Sequence, residues 1–243
     1  MFASESDTIC HEITFLSGEF LLKGTLHLPN VDQPPVVIGS HGLLSSSRSP
    51  KQIELALKCN EYGIAFFRFD HRGRGQSEGD FRKVTSLEAR CIDLVSAVKC
   101  IQSRADIGNR LGLFGSSMGG AVCISAASLL AVDAMVTYAA PVRSSSIMEA
   151  LEKTNDSSII PSLFEEQHLR FDLSDKLSNL HHILIFHGDS DNVVPPSNAQ
   201  EIYSTASEPK KIIMQRQGDH RMSTEEHQKS FLKAAVNWFK THL

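Results

Sequence analysis

The ten residues Leu111-Gly112-Leu113-Phe114-Gly115-Ser116-Ser117-Met118-Gly119-Gly120 constrain this chain more than any other stretch. An apolar run suited to a buried strand breaks into Gly-x-Ser-x-Gly and then into Ala-Val-Cys-Ile-Ser-Ala-Ala, which suits a helix. A serine on so sharp a turn takes a strained backbone, and its neighbours two positions away must be nearly free of side chain for strand and helix to approach. Gly115 and Gly119 meet that demand. The turn lifts the Ser117 hydroxyl clear of the sheet and aims the Met118 N–H, at the helix start, towards a developing oxyanion. An ordinary Gly/Ser-rich loop is the competing reading; the flanking strand and helix patterns argue against it.

The rest of the chain repeats the strand-then-helix rhythm. Alternation at Ile13/Phe15 and Leu22/Thr25/Leu26/Leu28, broken at Ser17-Gly18-Glu19, predicts an edge hairpin. Continuous apolar runs predict buried strands at Val36–Ser40, Ile64–Phe69, Leu111–Phe114, Ala134–Ala140, His182–His187 and Lys211–Met214. Helices are expected from about Pro50 to Tyr62, from a Thr85 or Ser86 cap to Ile101, from the serine turn to Leu130, after Pro196, and from about Thr224 to His242. Such alternation implies right-handed crossovers, a mostly parallel sheet and ligands at the strands' carboxyl ends. Residues 141–180 break the rhythm and read as a small lid with helical patterns at Ile147–Leu151 and Leu163–Leu169. Its apolar residues, among them Ile159, Ile160, Leu163 and Phe164, exceed what a solvated loop needs.

At 243 residues the chain suits one α/β domain, here 1–243 with the lid inserted. A net charge of -4 gives no sign of a nucleic-acid partner. The start lacks a basic segment followed by an apolar core, and no later run approaches a membrane span, so cytoplasmic residence is the expectation. The five cysteines, Cys10, Cys59, Cys91, Cys100 and Cys123, lack Cys-x-x-Cys spacing and read as buried thiols rather than disulfides or zinc ligands. His181, His182 and His187 lie on one strand pattern, whose geometry separates them in face and distance, against a metal site.

A serine hydroxyl needs a base, normally a histidine held in one tautomer by a carboxylate. His220 follows the Ile212–Met214 run, and Asp189 and Asp191 follow Ile183–Phe186. Asp191 is expected to be the acid, because it lies far enough beyond the strand to curl back to His220. Asp70, next to Arg72 in a glycine-rich loop, is expected to organise that loop instead. The loop's glycines do not open a helix as Gly-x-Gly-x-x-Gly, which argues against a nucleotide site. Arg48 and Arg143 read as solvated, or as partners for a substrate carboxylate at the pocket mouth.

Taken together, His41-Gly42, Asp70-x-Arg72-Gly73-x-Gly75-x-Ser77, Gly115-x-Ser117-x-Gly119, His187-Gly188-x-x-Asp191-x-x-Val194-Pro195 and Gly218-x-His220 resemble, in order, the motifs of the α/β-hydrolases. The resemblance is to the small esterase, acylglycerol-lipase and serine-aminopeptidase-like branch and spans about Phe20 to Leu243. It implies an eight-stranded, mostly parallel sheet with flanking helices and a lid after the sixth strand. It also implies hydrolysis of an ester, thioester or amide through an acyl-enzyme, without cofactor or metal. Leu43 matches the family's second oxyanion-hole amide, and Met118 the first. Where many relatives carry histidine before the nucleophile, this chain has Ser116, which leaves that flank small and polar. The expected substrate is a small-molecule carboxylic ester with a short to medium acyl or aryl group. Thioesterase, acyltransferase, aminoacyl-amide peptidase and cofactor-free peroxidase chemistry on the same three residues are the alternatives. A non-catalytic binding protein of this fold is a further alternative, and a homodimer is left open.

Overall fold

A computed structural model describes residues 9–154 and 169–243. Its centre is an eight-stranded sheet: β1 (Ile9–Ser17), β2 (Phe20–Leu28), β3 (Val36–Ser40), β4 (Ala65–Phe69), β5 (Leu111–Ser116), β6 (Ala134–Tyr138), β7 (Ile183–Gly188) and β8 (Lys210–Gln215). The order is β1-β2-β4-β3-β5-β6-β7-β8. β1 and β2 form the edge hairpin and pair antiparallel, as do β2 and β4; every pairing from β4 through β3 to β8 is parallel.

The apolar runs work because a strand alternates its side chains between faces, and here both faces are covered. Val36, Ile38, Phe67, Leu113 and Ile185 point into one apolar cluster, and Val37, Phe66, Phe114, Leu184 and Phe186 into the other. The first is closed by α3 (Leu87–Gln102) and α4 (Met118–Ala126), through Leu94, Val98, Ala121 and Val122, and by α6 (Ser197–Thr205), through Ala199 and Ile202. The second is closed by α1 (Pro50–Asn60), through Leu55 and Ala56, and by α7 (Glu225–His242), through Phe231, Ala235 and Phe239.

Local signals set the helix starts. Ser49 accepts the Gln52 N–H with Pro50 at the first helical position of α1, and Ser86 caps α3 by accepting the Ala89 N–H. A short helix that periodicity did not predict, α2 (Phe81–Val84), starts where the Asp80 carboxylate accepts the Arg82 N–H.

After β6 the chain enters α5 (Ser144–Thr154), and it returns through a 3₁₀ turn at Ser174–Asn179. The two stems of this excursion are tied together by Ser144 N–H to Phe171 O at 3.1 Å and Leu173 N–H to Val142 O at 3.0 Å. Residues 155–168, which include Ile159, Ile160, Leu163, Phe164 and most of the expected second lid helix, lie outside the described residues. Arg143 stays partly exposed and does not line the cavity in front of the serine turn. It makes a bidentate pair with Glu201 of α6 at 2.6 and 2.7 Å and a further pair with Asp172 at 3.1 Å, fastening the excursion to the body of the fold.

Cys59, Cys91 and Cys123 are buried free thiols, whereas Cys10 is exposed and Cys100 half-buried. Cys10 differs from the expectation because it sits on the outer edge strand β1, whose first residues face solvent.

Candidate active site

Parallel strands send their carboxyl ends to one side, so the loops after β3, β5, β7 and β8 converge there and deliver Leu43, Ser117, Asp191 and His220 respectively. Ser117 stands at the junction of β5 and α4 with φ 54° and ψ -124°, the strained conformation expected of the turn. The turn is possible because a Cβ at Gly119 would collide with the Ser40 carbonyl of β3. A second close approach joins the other two loops: Gly188, at the end of β7, packs its Cα 2.9 Å from where a Cβ on Gly218 would stand. That contact brings the Asp191 and His220 loops side by side.

His220 Nε2 lies 3.1 Å from Ser117 Oγ, and His220 Nδ1 lies 2.8 Å from Asp191 Oδ2. Asp191 is buried, and its other oxygen accepts the N–H groups of Val193 at 2.9 Å and Val194 at 2.8 Å. Burial alone would raise its pKa, but hydrogen bonds from His187, His220 and the Val194 amide outweigh it and hold the carboxyl well below the usual carboxylate range. An ionised Asp191 can only accept, so His220 Nδ1 carries the proton and Nε2 is left to accept from the serine hydroxyl. Asp189 is exposed and does not reach His220; its carboxylate accepts the Gln217 N–H at 2.6 Å and the Ser190 hydroxyl at 3.0 Å, tying the two loops together.

Leu43 and Met118 line the cavity in front of Ser117. Met118 begins α4, so its N–H has no partner within the helix. Among the described residues no acceptor pairs with the Leu43 N–H either. The cavity measures about 730 Å³, within the usual range for small-molecule sites. Ile147 of α5 lies on its wall with 5% exposure.

The Leu43 loop rests on a buried polar network. Asp70 accepts the N–H groups of Ser47 at 2.7 Å and Gln76 at 3.0 Å, so it organises the loop as expected. Its partner is not Arg72, however. Arg72 pairs with Asp93 of α3 at 2.7 Å, a fully buried carboxylate that also accepts from the Ser17 hydroxyl at 2.7 Å. Asp93 escaped the sequence reading because it sits in an amphipathic helix, where an acidic residue normally marks the solvated face. His71, whose Nε2 lies 2.9 Å from Ser40 Oγ, and Arg90 complete this network.

Arg48 is exposed and lines a separate small cavity with Glu12, Lys23, Arg68 and Asp70, away from Ser117. A cation that does line the site is Lys51 of α1, which the sequence reading also missed. Its signal was position: it lies in the first turn of a helix with no acidic residue there, where a cation opposes the helix dipole. His181 and His182 pair with each other at 2.8 Å before β7, while His187 Nε2, at the strand's other end, meets the Val194 carbonyl at 2.8 Å. Among the described residues no cluster of three or more His, Cys, Asp or Glu is placed to hold a metal ion, and no helix is long and apolar enough to cross a membrane.

Comparison with known proteins agrees with this architecture. The family model described as serine aminopeptidase, S33, matches residues 32–171, more than half of the chain. The uncharacterized protein YfhR of Salmonella typhi is 32% identical over 167 residues, which cover 66% of this chain and 56% of YfhR, so the match spans little more than half of that relative's length. The mouse mitochondrial palmitoyl-protein thioesterase ABHD10 is 28% identical over 215 residues, covering 77% of this chain and 69% of that protein. Among solved structures, the Pyrococcus furiosus esterase PF2001 superposes with a TM-score of 0.83 at 17% identity, covering 97% of this chain and 91% of that one. Est1E of Butyrivibrio proteoclasticus, solved with ferulic acid, superposes with a TM-score of 0.78 at 19% identity, covering 95% and 98%. With the sheet order, the strained turn and the family match all in agreement, this chain belongs to the serine aminopeptidase S33 family of α/β-hydrolases.

Proposed function

We propose that this protein is a serine hydrolase that cleaves a carboxylic ester through an acyl-enzyme, with Ser117 as nucleophile, His220 as base and Asp191 as the acid that orients it. The observation that carries this reading is the His220 imidazole lying 3.1 Å from Ser117 Oγ on one side and 2.8 Å from Asp191 Oδ2 on the other. Ser117 Oγ bonds to the acyl carbon as its proton passes to His220 Nε2. The tetrahedral oxyanion is received by the N–H groups of Leu43 and Met118. Collapse expels the alcohol, which takes the proton from His220. Water then adds to the acyl-enzyme, again losing a proton to His220, and the acid leaves as Ser117 Oγ recovers its hydrogen.

The size of the cavity suits a short to medium acyl or aryl group, and α5 contributes to its wall through Ile147. The chain requires no cofactor for this chemistry. Thioester cleavage is the second reading, favoured by the identity to a protein named as a palmitoyl-protein thioesterase.

Fluorophosphonate labelling and a series of p-nitrophenyl esters and acyl thioesters test both readings. Wild type should label and turn over, whereas Ser117→Ala should do neither, with a loss of about 10⁶-fold in kcat. Activity within about tenfold of wild type in Ser117→Ala would overturn the assignment.

A further inference from the structure

The residue before the nucleophile is the small Ser116, and the space beside it is occupied by a cation. Lys51 Nζ stands 3.4 Å from Ser116 Oγ and 3.8 Å from the centroid of the Tyr138 ring. Among the described residues no carboxylate lies within ion-pair distance of it, although it lines the same cavity as Ser117 and His220. Next to it, Gln52 is 1% exposed and lines that cavity too, and neither its amide nitrogen nor its amide oxygen has a hydrogen-bond partner. A buried amide is rarely left unpaired, because each unpaired group keeps its desolvation cost.

We propose that Lys51 and the Gln52 amide form a carboxylate-receiving subsite beside Ser117, so that the substrate is an acidic ester, carrying a carboxylate on its acyl or its alcohol portion. The proposal rests on Ser117 being the nucleophile. An ammonium has three N–H donors. Ser116 Oγ takes one, and the face of Tyr138 attracts the charge without consuming a donor, so at least one N–H remains for a ligand. A neutral hydrocarbon chain in this arm would leave that donor and the Gln52 amide facing nothing. A carboxylate would accept from both the Lys51 ammonium and the Gln52 Nε2–H group, and would convert a half-buried cation into a charge-assisted hydrogen bond. Ser116 is what makes the arm accessible, since an imidazole at that position would fill the space next to Lys51.

The test compares kcat/KM within two matched pairs: mono-4-nitrophenyl succinate against 4-nitrophenyl butyrate, with the acid on the acyl side, and 4-acetoxybenzoate against its methyl ester, with the acid on the alcohol side. Wild type should prefer the acidic member of one pair by about tenfold or more, the range expected for a hydrogen bond to a charged group, and the pair that shows it names the side. In Lys51→Met the acid-to-neutral ratio should fall to near one, and in Gln52→Leu to an intermediate value. A measurement on wild type alone gives an independent reading. Burial pushes the Lys51 ammonium down to about 7 against the opposing attraction of Asp219 and Asp191, so the ratio should fall as pH rises through that range. Glu54 of α1, Tyr138 of β6, and Asp219, His220 and Arg221 after β8 also border the cavity or the lysine. Any pH effect on the chemical step is common to both members of a pair and cancels in the ratio. A wild-type ratio near one in both pairs, or a ratio unchanged in Lys51→Met, overturns the subsite while leaving the hydrolase reading intact. Absence of turnover on every ester together with absence of fluorophosphonate labelling is the distinct result that overturns the hydrolase reading, and the subsite with it.

Discussion

The Arg90 guanidinium donates to the His41 carbonyl at 2.7 Å from a site with no solvent exposure. The same nitrogen reaches the Gly42 carbonyl at 3.3 Å, so one side chain holds both peptide units that precede Leu43. Burial lowers the Arg90 pKa to about 9, with Asp93 opposing the shift, and the group remains charged at neutral pH. A buried charge spent on two carbonyls fixes the direction of the Leu43 N–H, which shares a planar peptide unit with the Gly42 carbonyl.

Arg90→Met is therefore expected to lower kcat by about 10²-fold, the cost of losing one well-placed oxyanion donor, with KM nearly unchanged. Arg90→Lys should recover part of the loss by donating to one carbonyl. Steady-state kinetics normalised to fluorophosphonate-titrated sites checks this. A variant that is less stable but keeps wild-type kcat per labelled site would remove Arg90 from the positioning of Leu43.

Asp191→Asn is expected to cost about 10⁴-fold in kcat, because an amide in place of the carboxylate mis-sets the His220 tautomer. Asp189→Asn should stay within about tenfold, its loss being a loop tie rather than a contact with His220. Kinetics of the two variants on one ester decides the matter, and the opposite ranking would refute the assignment.

Acid should destabilise the fold through its buried histidines. Burial first, and then the Arg90 charge, lowers the His71 pKa to about 4, while the hydrogen bond with Asp93 works the other way; Arg72 and His41 also face this ring or the groups that hold it. An unfolded histidine takes a proton below about 6.5, so between there and about 4 the unfolded state binds more protons and stability falls with pH. The Asp93 and Asp191 carboxyls, both depressed, add their loss only at lower pH. His71→Asn should remove up to one proton from this dependence, about 1.4 kcal/mol per pH unit. Urea unfolding between pH 4 and pH 7 measures the slope, and an unchanged slope would mean that His71 titrates alike in both states.

Ile147→Ala should move the acyl optimum to longer chains, because Ile147 closes part of the cavity wall. Each methylene newly accommodated is worth about 0.8 kcal/mol, or about fourfold in kcat/KM. A p-nitrophenyl series from acetate to palmitate reads the shift. If the profile stays the same, α5 does not limit the acyl pocket.

The architecture and the positions of Ser117 and His220 were legible in the chain alone, because they follow from local rules. Continuous apolar runs such as Val36–Ser40 can only be strands covered on both faces, and Gly115-x-Ser117-x-Gly119 can only make its turn where strand and helix nearly touch. Asp191 could be ranked above Asp189 on spacing, but which carboxylate meets His220 depends on how the loops after β7 and β8 press together at Gly188 and Gly218. The roles of the cations were decided by tertiary structure. Arg143 pairs with Glu201, Arg72 with Asp93, and Arg90 with the His41 carbonyl, while Lys51 donates to Ser116 with no carboxylate partner among the described residues. A charged side chain has the same local preferences whether it ends in water, in an ion pair or in a pocket. Its fate is set by long-range partners, Arg90 and His41 being 49 positions apart and Lys51 and Ser116 65, and sequence periodicity carries no information over such separations.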